Sequence, residues 1–183
     1  MKNQNALFKS VKSLTLAAML VAMSVVIGIF CKTLLNFGGG LVRITFENLP
    51  IILSGIVFGP VVGAAVGIAS DLVSYLLSPQ TLPPNLIVTL GAATVGIISG
   101  LISHTAIKKR GILQTVVCTI SSHAIGSMLI KSIGLFQFYE WGVLIRIPTY
   151  IAISALETLV LCLLFRNAVF CALIDGIAED EKK

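Results

Sequence analysis

The sequence predicts an all-α integral membrane protein, a single domain over residues 1–183 folded as a bundle of six transmembrane helices. Three observations carry that prediction. Only 11% of the residues are charged and 56% are hydrophobic, where an ordinary soluble domain carries roughly 25% charged residues. Mean hydropathy is +1.00. The apolar residues also gather into runs bounded by charges or by Gly and Pro, near 13–34, 48–58, 60–77, 86–106, 112–132 and 143–166. At about 20 residues per span, a chain of this length has room for no more than six or seven crossings with their turns.

The first run follows Lys2, Lys9 and Lys12 and extends from Leu14 to Phe30. Its length is that of a full span, so it reads as an uncleaved first helix rather than a signal peptide. The second, Asn48 to Phe58, is too short to cross unaided. It begins at Leu49-Pro50, suited to a helix start, and ends at Phe58-Gly59-Pro60, which forces a tight turn into a hairpin with the third run. Between the third and fourth runs, the Pro-rich stretch 78–85 predicts a stiff outer loop.

Six crossings put both termini on one side. Lys2, Lys9, Lys12, Lys108, Lys109, Arg110, Lys182 and Lys183 fall there, with Arg166 close by. By the positive-inside rule that side is cytoplasmic, so a multi-pass protein of the cell membrane with both termini in the cytoplasm is expected. Lys32, Arg43, Lys131 and Arg146 run against this bias, at the outer ends of spans. The net charge of +5 does not indicate a nucleic-acid partner, because the basic residues sit at loop ends without a stripe or interleaved aromatics.

Catalytic and cofactor signatures are missing. There is no GxxxxGK[ST], HExxH or GxGxxG motif, and Cys31, Cys118, Cys162 and Cys171 show no CxxC spacing. His104 and His123 fall in different runs, and Ser99-Gly100 lacks the glycine two before the serine that an intramembrane Ser/His hydrolase would show. We therefore expect no catalytic residues, no metal and no cofactor.

Charges inside spans are more informative. Each costs about 2.5–3.5 kcal/mol on insertion scales and tends to face the bundle interior, paired or lining a cavity. Asp71 lies eleven residues past Pro60, about 16 Å along a helix axis and so in the outer half of the bilayer. Arg146, Tyr150 and Glu157 stand at i, i+4 and i+11, close to whole turns, and share one helix face. A structural reading remains open for Asp71 and Glu157, a buried pair with Arg or Lys from a neighbouring helix. Arg43, Glu47, Asn48, Asn85, Thr89 and Lys131 add polar groups at outer ends. Phe37, Phe46, Phe136, Phe138, Tyr139 and Trp141 gather there as well, as an interfacial belt from which one or two rings are available to stack on a flat ligand.

Small residues recur at Gly59/Gly63/Gly67, at Gly96/Gly100 and at Ala18/Ala22, the spacing that lets helix backbones approach in lipid. The glycine sets read as internal packing. For the alanine pair, internal packing and a partner helix are both open.

The stretch Arg43-Ile-Thr-Phe46-Glu47-Asn48-Leu-Pro-Ile-Ile-Leu-Ser-Gly-Ile-Val-Phe58-Gly59-Pro60, continuing through Gly63, Gly67 and Asp71-Leu72, resembles the substrate-binding S components of energy-coupling factor (ECF) transporters, folate family. The resemblance extends to Thr89-Leu90-Gly91-Ala92-Ala93 and Gly96-Ile-Ile-Ser-Gly100 and covers roughly 13–170. Arg146 and Glu157 look like the family's arginine and acidic residue in the last helix, while Ile147-Pro148-Thr149-Tyr150 departs from its basic/amide pattern.

The resemblance implies a six-helix bundle that binds folate or a related vitamin at its outer face, with a transmembrane coupling subunit and two ATPase subunits as partners. Ala18 and Ala22 match the family's small-residue motif for docking the coupling subunit. Folate has a flat pterin and an anionic tail. Asp71, or Asn85 with Thr89, would meet the pterin edge, Phe46 or Tyr150 would stack on it, and Arg43, Lys131 and Arg146 would meet the tail.

Overall fold

The computed structural model describes residues 11–37, 42–77, 85–107 and 111–180. Helix α1 is Val11–Leu34, followed by a two-residue antiparallel pair, β1 (Asn36–Phe37) with β2 (Val42–Arg43). Then come α2 (Asn48–Phe58), α3 (Pro60–Leu77) and α4 (Leu86–Leu101), which continues as a π-helical turn over Ile102–Ala106. Helix α5 (Ile112–Ser122) runs through a π segment, His123–Lys131, into α6 (Ser132–Tyr139). A 3-10 turn, Glu140–Ile145, leads to α7 (Arg146–Arg166) and α8 (Ala168–Asp180).

Four helical runs among the described residues are long and apolar enough to cross a membrane: Val11–Leu34, Pro60–Leu77, Leu86–Ala106 and Ile112–Arg166. The last holds 55 residues, about 80 Å of helix against a hydrocarbon core of about 30 Å, so it cannot run straight. It turns back at Glu140, whose φ of 46° is the sole positive value outside glycine among the described residues. His123 and Glu157, equally far in sequence from Glu140, consequently meet side by side.

Helix α2 is the centre of the bundle. Nine of its eleven residues are buried, from Asn48 to Phe58, and it packs against α1, α3, α4, α5 and α7. A helix wrapped in protein satisfies its backbone without reaching either face of the bilayer, which accounts for its shortness. At its end Gly59 adopts φ 93°, a region that favours glycine, and donates its N–H to the Gly55 carbonyl at 2.9 Å. Pro60 then opens α3, its missing N–H harmless at a first helical position.

Around α2 the backbones close on one another. A methyl group built on Gly96 would overlap the Gly63 carbonyl, and one on Gly100 would overlap Gly59 and Pro60. Ile51, Ile52, Leu53, Ile56, Val62, Val66, Val95 and Leu161 fill the core. The outward surface carries Met19, Val26, Phe30, Leu72, Leu90, Leu129, Leu159 and Leu163, apolar side chains suited to lipid.

Two boundaries differ from the sequence expectation. The fifth helical run continues past 132 to Tyr139, because Gly134 tucks against Ile87 and Val88 of α4 and its carbonyl accepts from Asn85 Nδ2 at 2.5 Å. Lys131 therefore lies inside a continuing helix rather than at its end. Helix α8 follows the last predicted span. It is anchored by Ile174, which is 4% exposed, and by an edge-to-face contact of Phe165 with Phe170. Its apolar residues, Ala168 to Ile174, are cut short by Asp175, so no span-length run announces it.

Candidate ligand-binding site

A small cavity, with room of about 10 Å³, lies between the first four helices, at the end of the bundle away from Gly59. Helix α1 contributes Ser24, the segment entering α2 Glu47, α2 itself Ile51, α3 Ser70, Asp71 and Ser74, α4 Ala92, and the π segment Lys131. Ser70 and Ser74 sit one turn apart on the buried face of α3, with Asp71 at its edge. The Lys131 side chain reaches the cavity over Gly91, where a methyl group would lie 2.6 Å from Lys131 Cγ.

The polar groups are organised in two chains. On one side the Thr89 hydroxyl donates to Asp71 Oδ2 at 2.6 Å, tying α4 to α3. On the other, Lys131 Nζ donates to Asn48 Oδ1 at 3.0 Å, and Asn48 Nδ2 donates to Ser127 Oγ at 3.2 Å. Glu47 stands between two lysines, with Lys131 Nζ 3.6 Å from Oε1 and Lys32 Nζ 3.9 Å from Oε2. Its backbone carbonyl accepts from Ser24 Oγ at 2.7 Å. The wall thus combines two carboxylates, one ammonium and three hydroxyls. Ser70 Oγ is buried with no hydrogen-bond partner among the described residues, and a buried hydroxyl left this way is costly unless something enters to meet it.

Of the residues singled out from the sequence, Asp71 and Lys131 line this cavity and Thr89 holds Asp71. Asn85 does other work: its Oδ1 accepts the Ile87 N–H at 2.9 Å as the N-cap of α4, and its amide reaches Gly134. Arg146 is buried, its guanidinium 4.9 Å from the centre of the Tyr139 ring. Phe46 and Tyr150 are half-buried and do not line the cavity. Glu157 does not line it either; Oε2 lies 2.6 Å from His123 Nε2, with both side chains at 1% exposure or less. This is the buried-pair alternative for Glu157, with histidine in place of Arg or Lys. The Arg43 side chain falls outside the described residues, as do Lys2, Lys9, Lys108, Lys109, Arg110, Lys182, Lys183 and most of the 78–85 loop. Ala18 and Ala22 face outward on α1, beside Met19 and Met23.

Sequence reasoning passed over Ser24, Ser70 and Ser74, and it noted Glu47 without assigning it a place in the site. The serines carried a usable signal. Ser70 and Ser74 continue the Gly63/Gly67 face one and two turns on, so they had to point inward beside Asp71.

The family model described as "ECF transporter, substrate-specific component" matches residues 12–178. The chain belongs to this family. Among solved structures, this S component is similar to a crystal structure of FolT bound with folic acid, with a TM-score of 0.66 and 21% identity. The likeness covers 82% of this chain and 90% of that one, and at such identity it establishes the shared fold. No match was found among curated proteins. As a substrate-specific component the chain is a membrane-embedded transporter subunit, and its apolar helices fit that role.

Proposed function

We propose that this S component binds folate or a closely related vitamin at the outer face of the cell membrane, in the cavity between α1, α2, α3 and α4. It hands the vitamin to a transmembrane coupling subunit driven by two ATPases. The observation that carries the reading is the unpartnered Ser70 hydroxyl flanked by Asp71, Ser74 and Lys131 on one wall. Six segments cross or enter the bilayer, both termini are cytoplasmic, and no catalytic group, metal or cofactor takes part. Ala18 and Ala22, facing outward on α1, form the docking face for the coupling subunit.

In this reading Asp71, braced by Thr89, and Ser70 meet the hydrogen-bonding edge of the pterin. Lys131, together with Arg43 and Arg146, meets the anionic tail. In the empty protein the cavity has room of only about 10 Å³, about one water, so its walls part to admit the pterin, and the tail extends toward the segments that join the helices. Phe46 and Tyr150 are the rings near enough in the chain to close over it.

Titration of the purified protein in mild detergent with folate, a tail-less pterin, thiamine and riboflavin tests the reading. Folate should bind most tightly. Preference for a vitamin without a pterin, or binding of none, overturns it.

A further inference from the structure

Lys131 is 6% exposed, and a buried ammonium is costly unless its hydrogens are met. It also stands at the start of α2, the positive end of that helix dipole, which repels a cation. Among the described residues its one hydrogen bond goes to Asn48 Oδ1, at 3.0 Å. Glu47 Oε1 is farther away, at 3.6 Å. Asn48, itself 4% exposed, is held in turn by Ser127 Oγ, which accepts from Nδ2 at 3.2 Å and lies four residues before Lys131 on the π segment. Both ends of one amide thus grip the same segment. Asn48 does not line the cavity, whereas Lys131 does.

We propose that Asn48 is a positioning residue for anionic ligands: it holds the Lys131 ammonium against the cavity with a group that does not neutralise it, and so sets the preference for a vitamin bearing a carboxylate over one without. This deepens the reading of the site given above and rests on it. The charge of the acceptor matters as much as its place. An ammonium carries three donors, and a neutral amide takes one of them while leaving the positive charge for an incoming anion. A carboxylate at the same position would cancel that charge. With no acceptor there, the ammonium would close on Glu47 instead.

Calorimetric titration of folate and of a tail-less pterin into the purified full chain and its variants separates this role from a structural one. Asn48→Asp keeps the shape and supplies a competing carboxylate, so folate should bind at least about tenfold more weakly while the tail-less pterin stays within about twofold of wild type. Asn48→Ala should move folate affinity in the same direction by a smaller factor, and serves if the aspartate variant does not fold. In a Lys131→Met background neither substitution should weaken folate further, because the group through which Asn48 acts is gone. Unchanged folate binding, equal losses for both compounds, or a folate loss that persists without Lys131 would overturn the proposal, while wild-type binding of the pterin leaves the site standing. If the wild type binds neither compound, the site reading fails and this role fails with it.

Discussion

The bundle holds its halves together by two different means. Helices α2, α3 and α4 meet backbone to backbone, with Gly55, Gly63, Gly67, Gly96 and Gly100 at the contacts, so dispersion and exclusion of lipid do the work. The π segment after α5 and helix α7 are joined by His123 and Glu157, a buried ionisable pair in which His123 Nδ1 and Glu157 Oε1 have no hydrogen-bond partner among the described residues. The first contact is backbone against backbone and tolerates no added atom. The second is half satisfied, and by the energetics of buried charge it specifies an arrangement more than it stabilises one. The cavity sits on the glycine-packed half and borrows Lys131 from the other.

The largest effect is expected where the comparison is sharpest. Gly96→Val places a branched side chain against the Gly63 backbone, which has no flexible end to give way. A loss above about 3 kcal/mol, read as failure to recover monodisperse protein in detergent, is the predicted outcome. Recovery of a well-folded Gly96→Val protein would mean that α3 and α4 are not locked together.

The ion pair should respond in the opposite way to completeness of removal. Glu157→Leu or His123→Leu alone strands one polar group in the core and should cost roughly 3–5 kcal/mol. The double variant His123→Leu/Glu157→Leu removes both and should recover most of the melting temperature. Additive losses in the double variant would make the pair a net stabiliser.

Much of the glycine-packed half was legible in the sequence, because its signals are local. Gly59-Pro60 marks a turn and glycines four apart mark close approach, both readable within one turn of helix, whereas Asn85, read as a ligand contact, is the cap of α4. The other half was not. The spacing of Arg146, Tyr150 and Glu157 put them on one face, but nothing local says that the partner of Glu157 stands on a different helix, across the reversal at Glu140. Glu47 escaped for a related reason. An acidic residue before a helix reads as an ordinary helix start, and its two lysines lie in other segments. The extension of the fifth run to Tyr139 rests on an Asn85–Gly134 bond that joins the start of α4 to the inside of α6, far apart in sequence.

A smaller effect sharpens the contrast between small residues used inside and outside. Ala18 and Ala22 share the four-residue spacing of Gly63 and Gly67 but face outward. Ala18→Trp should leave melting temperature and folate affinity near wild type while uptake in cells falls to background. Loss of stability together with uptake would show that this face packs within the bundle.

The central claim is that the cavity beside Asp71 holds the ligand, and calorimetric titration of folate into wild-type and Asp71→Asn protein, with melting temperatures measured on the same samples, tests it most directly. Asp71 lines the cavity and accepts from Thr89, so the amide should weaken folate binding at least about tenfold, one charge-assisted hydrogen bond of about 1.5–3 kcal/mol, while the melting temperature moves by only a few degrees. Unchanged folate affinity with a much lower melting temperature would contradict the account and make Asp71 part of the scaffold.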